Sequence, residues 1–142
     1  MKKLFFLFSL FITQINFAQE VVLPTVNREV VPTTNQDDTV YTATGIEVRP
    51  EYPGGINEFY KYVGKAFNVP TDKKFNGGRI YVSFVVEKDG TLTDIKVVRD
   101  AGFGTGEEAV RVLKNSKRWQ PAEQNGKKVR CHYMLPIKLM AQ

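Results

Sequence analysis

The sequence predicts an α+β domain in which a small antiparallel β-sheet, of three main strands with room for a short extra one, packs against two helices. Three observations carry that expectation. Ile56, Phe59, Tyr60, Val63 and Phe67 recur at the spacing of one helix face. Residues 79–98 alternate on either side of Asp89-Gly90, the pattern of a β-hairpin. A second helix signal beginning at Thr105 leads into a long alternating run from Lys127 to Leu139. Helix, strand, strand, helix, strand suits one sheet covered on one face by its helices, and about 90 residues suffice for a small single core.

Residues 1–18 read as a secretory signal peptide. Lys2 and Lys3 form a charged start, an apolar run extends from Leu4 to Ile15, and Ala18 places a small residue before the expected cleavage point. The run falls short of the roughly 20 residues that cross a bilayer as a helix, so retention as an inner-membrane anchor is the alternative rather than the first expectation. Removing it takes away two lysines and no acid, lowering the formal charge from +5 to +3. That modest positive balance on an exported protein fits solubility, or contact with acidic partners or anionic lipid surfaces, and is too weak to argue for nucleic acid. Residues 19–44, rich in Val, Thr, Asn and Pro without a sustained period, read as a flexible arm, with a short strand near Val30 or Val40 as the exception. Residues 45–142 make up the folded domain.

Within it, Pro53-Gly54-Gly55 signals a turn before the first helix, which should stop ahead of Pro70. In the hairpin, Ile80, Val82, Phe84 and Val86 share one face. In the return strand Ile95 and Val97 share a face while Leu92 and Val98 lie in the opposite phase, and a bulge near Thr93-Asp94 would reconcile them. Thr105 and Glu108 have the spacing of a capping box at the start of the second helix. Ala109, Val112, Leu113 and Ser116 would face inward. In the last strand Val129, Cys131, Tyr133, Leu135, Ile137 and Leu139 lie on one face, and Arg130, His132, Met134, Pro136 and Lys138 on the other. Pro136 cannot donate to a ladder, which points to an edge strand, and the charged outward residues are of the kind that protect an edge. The same edge can accept a strand from a partner.

The only Trp, His and Cys of the chain crowd together at Trp119, Cys131 and His132, which invites a catalytic reading. Adjacent strand positions point to opposite faces, so Cys131 and His132 cannot form a nucleophile–base dyad. A single His and a single Cys do not build a zinc site, and the acids around Asp89 lack calcium-loop spacing. No catalytic residues, metal or cofactor are therefore expected, and the protein is read as a non-enzyme. The strand from Gly77 has an aromatic pattern loosely like that of an RNA-recognition domain, but Ile80 stands at the first aromatic position and export makes RNA an improbable ligand.

Taken in order, "YPGG" at 52–55, the hairpin "VSFVVEKDGTLTDIKVV", the helix opening "EEAVRVLK" and "WQPAEQNGKKV" before a strand containing "LPI" resemble the TonB C-terminal domain, in the form of the small TonB-like periplasmic proteins of Bacteroidetes-type bacteria. The resemblance covers residues from about 50 to 140. It implies a periplasmic domain that binds the TonB-box segment of outer-membrane receptors as an added strand, in TonB-dependent transport. The binding edge it implies is the strand at 129–139, with Arg130, His132, Met134 and Lys138 nearest the peptide. Trp119, Pro121 and Gly126 become pattern residues of the fold. An envelope-protein or peptidoglycan-interaction module with the same fold, and a homodimer formed through the edge strand, are the alternatives. A full TonB begins with a membrane helix and a long Pro-rich spacer, which this N-terminus does not resemble, so the motor role does not carry over with the fold.

Overall fold

The computed structural model describes residues 38–141. The expected signal peptide and most of the expected arm lie outside the described residues. Seven elements follow in order: β1 (Val40–Thr42), α1 (Ile56–Ala66), β2 (Gly78–Val86), β3 (Leu92–Arg99), α2 (Thr105–Lys114), β4 (Ala122–Gln124) and β5 (Lys127–Leu139). The architecture is the α+β one read from the sequence, with two helices and a sheet of five strands. The sheet runs β1-β5-β2-β3, and β4 pairs with the start of β5. Two features go beyond the sequence reading. β4 was not foreseen, and β1 pairs with β5 in parallel, Val40 opposite Arg130 and Thr42 opposite His132, so the sheet is mixed rather than wholly antiparallel.

The hairpin forms because β2 is a β-branched and aromatic run whose alternate residues Ile80, Val82, Phe84 and Val86 are fully buried. Its turn is wider than the two-residue type expected. Glu87 N–H bonds to Thr91 O, and Gly90 alone takes a positive φ of 82°, giving a three-residue loop with a bulge at its end. β3 has the expected bulge: register slips between Ser83–Lys96 and Val85–Thr93, where Asp94 adopts φ 48°. The slip brings Leu92 to the core side with Ile95 and Val97. Val98, expected to be brought into phase by the same bulge, is instead exposed, because a further slip between Val82–Val97 and Tyr81–Arg99 leaves it unpaired. Between β4 and β5, Asn125 and Gly126 both have positive φ, 51° and 71°, and close the tight turn that an Asn-Gly pair favours.

Both helices pack on the core side of the sheet. α1 buries Phe59 and Val63, with Phe67 at its end. α2 buries Ala109, Val112 and Leu113. Ile56 and Tyr60, expected on the buried face of α1, are instead exposed, because that part of the helix overhangs the side of the sheet. Trp119 sits at the centre of the core. Its ring meets Tyr52, Phe59, Phe84 and Tyr133 at centroid distances of 5.3–5.8 Å, mostly edge to face.

The capping box is not formed. The hydroxyl of Thr105 donates to Gly102 O (2.7 Å) and accepts from Ala101 N–H (3.2 Å), so it closes the preceding turn, and Gly104 is the N-cap. Glu108 reaches across to the end of α1. It accepts from Asn68 N–H (2.8 Å) and from Arg111 Nε (2.8 Å), while Arg111 also donates to Ala66 O (2.6 Å). A third tie between the helices runs from Tyr62 Oη to Val112 O (2.9 Å). The Arg111 guanidinium and then the Asn68 N–H hold the Glu108 carboxyl at about 2, against an ordinary 4.5. A carboxyl depressed in the folded state stabilises above its unfolded pKa and loses that stabilisation as pH falls towards its folded one. Glu108→Gln is therefore expected to cost about 1–2 kcal/mol at pH 7, allowing for an exposed Arg111 partner. It should also flatten the fall in stability between about pH 5 and pH 2. Urea midpoints of both proteins across that range measure it.

Candidate functional site

The last strand has two sides along its length. β2 pairs with β5 from Cys131 to Leu139. On the opposite side, β4 covers Lys127–Val129 and β1 covers Arg130–His132. No described strand lies beside 133–139. Two hydrogen bonds fix which backbone groups face that open side: Ala43 N–H donates to His132 O (3.2 Å), and Tyr60 Oη donates to Pro136 O (3.0 Å). Backbone polar groups alternate along a strand. Cys131, Tyr133, Leu135, Ile137 and Leu139 thus bond to β2, and Met134, Pro136 and Lys138 turn theirs outward. Pro136 places its missing N–H on the open side, where no ladder bond is lost. The proline signal thus describes half of the strand. β5 is interior over its first half and an edge over its second.

The residues expected nearest a peptide are divided by this arrangement. Arg130 forms a forked pair with Glu87, Nε to Oε2 at 2.7 Å and Nη2 to Oε1 at 3.0 Å, and its Nη1 donates to Asp38 O (3.2 Å). Glu87 also accepts from the Thr93 hydroxyl. Arg130, followed by Thr93, holds the Glu87 carboxyl below its ordinary range. Arg130 therefore ties β5 to the hairpin and to the chain entering β1. His132 is half-buried opposite Val85, and its carbonyl is taken by Ala43. Met134 and Lys138 remain exposed on the open section. Trp119 is buried in the core. Pro121 lies between two backbone bridges, Glu51 with Gln120 and Val48 with Glu123, and Gly126 lies in the β4–β5 turn.

Two recesses flank the open section. At the Leu139 end a groove of about 720 Å³ lies between α1 and β5. Val63, Phe67, Val69 and Ile137 form its apolar floor, and Arg79 and Lys138 its charged rim. Beside Tyr133 a second recess of about 470 Å³ is walled by Val48, Pro50, Ile56 and Trp119. Trp119 Nε1 is buried there without a hydrogen-bond partner among the described residues. Tyr60, which lines the first recess, Ile56, which lines the second, and Met134 have exposed side chains. Burial, followed by the neighbouring Tyr133, pushes the Tyr60 phenol up, so it is a proton donor at neutral pH. Ile56 and Tyr60 are the site residues that sequence reasoning assigned elsewhere. Their helical spacing is that of core residues, and only the position of the sheet's side reveals them as surface.

Residues 72–138 match the family model of the Gram-negative bacterial TonB protein C-terminal domain. The stretch from 72 to 138 is a TonB C-terminal-like domain. The match runs from the loop before β2 through the hairpin, α2, Trp119 and β4 to Lys138, and leaves α1 and β1 outside it. No curated protein matches the chain. TonB C-terminal domains are a periplasmic, non-catalytic, transport-associated family that works with outer-membrane proteins, and residues 72–138 are similar to them. Among the described residues no helix is long and apolar enough to cross a membrane, and no cluster of His, Cys, Asp and Glu could hold a metal ion. Cys131 is a buried thiol whose pKa is raised by that burial, in keeping with a packing role.

Proposed function

We propose that this TonB-like domain binds the periplasmic TonB-box segment of an outer-membrane receptor by adding it as a strand along Tyr133–Leu139. One observation carries the reading: the outward backbone groups of Met134 and Lys138 lie in the plane of the sheet with no described strand beside them. Main-chain bonds to such an edge supply affinity, and pockets beside it read alternate side chains. The two recesses stand where side chains of an added strand would reach. Arg130 and His132, beside β1, act in this reading through the strand's shape rather than by touching the peptide. No catalysis is assigned. Export through cleavage after Ala18 belongs to the same proposal, and N-terminal sequencing beginning at Gln19 would support it.

The test is a titration of TonB-box peptides into the isotope-labelled protein. The amides of Met134 and Lys138 should move most, with smaller changes across Tyr133–Leu139. Met134→Pro removes one outward N–H and no bond to β2, so it should abolish binding while the rest of the spectrum stays folded. Silence along 133–139 at millimolar peptide overturns strand addition. Retention on peptidoglycan with that silence would point to a wall-interaction module.

A further inference from the structure

The Tyr60 hydroxyl is the one side-chain group bonded to the open section's backbone among the described residues, at Pro136 O (3.0 Å). Pro136 is also the position where an incoming strand has least to gain, because it offers a carbonyl and no N–H. An added strand would run about 4.8 Å from β5 and bring its own N–H to within about 2.9 Å of that carbonyl. The phenol hydroxyl already donates to that same carbonyl. Tyr60 comes from α1, outside the stretch matched by the family, so the contact belongs to this chain's own helix. Its ring rests edge-on against Phe59 at 5.6 Å and is 39% exposed, outside the buried core, so it can swing aside with the core left in place.

We propose that Tyr60 is a displaceable cap on the free edge: its hydroxyl holds Pro136 O in the unbound domain and is expelled when a partner strand is added. This rests on the strand-addition reading and names the residue that sets its threshold. The cap satisfies the carbonyl that Pro136 exposes and discourages stray pairing at the centre of the open section, as edge protection generally does. A partner must replace the Tyr60 bond with its own, so segments lacking an N–H at that register are rejected.

Tyr60→Phe keeps the ring and removes only the bond. The mutant and wild-type proteins are titrated with the same short TonB-box peptides. The amide nitrogen of Ile137, bonded directly to the Pro136 carbonyl carbon, is followed by NMR. Expected are binding about threefold to tenfold tighter in the mutant, Ile137 shifts that differ between the two free proteins, and shifts that coincide once both are saturated. Affinities equal within about twofold, weaker binding by the mutant, or an Ile137 difference that survives saturation overturns the cap while leaving strand addition standing. Absence of binding by either protein overturns strand addition, and the cap with it.

Discussion

Gly90→Ala should be among the most damaging single changes in this domain. A Cβ at Gly90 would lie 2.0 Å from the carbonyl oxygen of Trp119 and 3.1 Å from its nitrogen. Nor can the backbone simply back away, since Trp119 N–H donates to Gly90 O at 2.8 Å. The residue also takes φ 82°, which costs a side chain about 1–2 kcal/mol before any contact is counted. Opening the turn would break the bond that fixes Trp119 between the hairpin and α1. A loss of at least about 3 kcal/mol is expected. Gly126→Ala is the control: its φ is similarly positive, 71°, but nothing lies within 4 Å of the added carbon, so it should cost only about 1 kcal/mol. Urea midpoints followed by the fluorescence of the chain's only tryptophan separate steric conflict from backbone strain. Equal losses in the two proteins would refute the role given to the Gly90–Trp119 contact.

Trp119→Ala should cost about 3–5 kcal/mol, the range for emptying an aromatic site in a packed core. Four rings close on Trp119, from the loop before α1, from α1, from β2 and from β5. Removing it therefore leaves a cavity bordered by parts that cannot all move inward together. Trp119→Phe should cost less, about 1–2 kcal/mol, because a ring still fills the centre. No hydrogen bond among the described residues is lost with it, since Nε1 has no partner there. Circular dichroism during urea unfolding measures both variants, as neither retains the fluorophore. A drop for Trp119→Phe as large as that for Trp119→Ala would mean that a phenyl ring cannot fill the centre of the core, and would overturn this expectation.

The elements that could be read from the sequence are those long enough to show a period. α1, the hairpin, α2 and β5 each repeat their apolar pattern several times, and the out-of-phase Leu92 revealed the β3 bulge. β1 and β4 span three residues each, too short for alternation to stand out from the Val/Thr-rich arm or from the approach to Asn125-Gly126. The sequence offers a short strand near Val40 only as an exception and does not reveal β4, which has a functional consequence, because these short strands occupy the outer side of β5 up to His132. Arg130 could not be set aside from sequence either: its partner Glu87 lies 43 positions away, brought near by the pairing of β2 with β5. Ile56 and Tyr60 show the opposite limit. Helical spacing identifies a face, but which part of that face meets the sheet depends on where the sheet ends. The Thr105–Glu108 spacing fits a capping box, yet Glu108 gains more by joining Arg111 and the end of α1.

β5 is thirteen residues long, and β4 and β1 cover only its first part. A strand seated at 133–139 would therefore lie end to end with β1 along one side of the same backbone, as two lengths of wood lie along a splint. The two would not compete for bonds. Tension between the chain entering β1 and such a strand would travel lengthwise through β5. Because β1 is parallel to β5, that pull would strain its ladder bonds together in shear instead of peeling them apart one after another. A domain with this layout can hold its own leading segment and a partner at once, with a single strand as the mechanical joint.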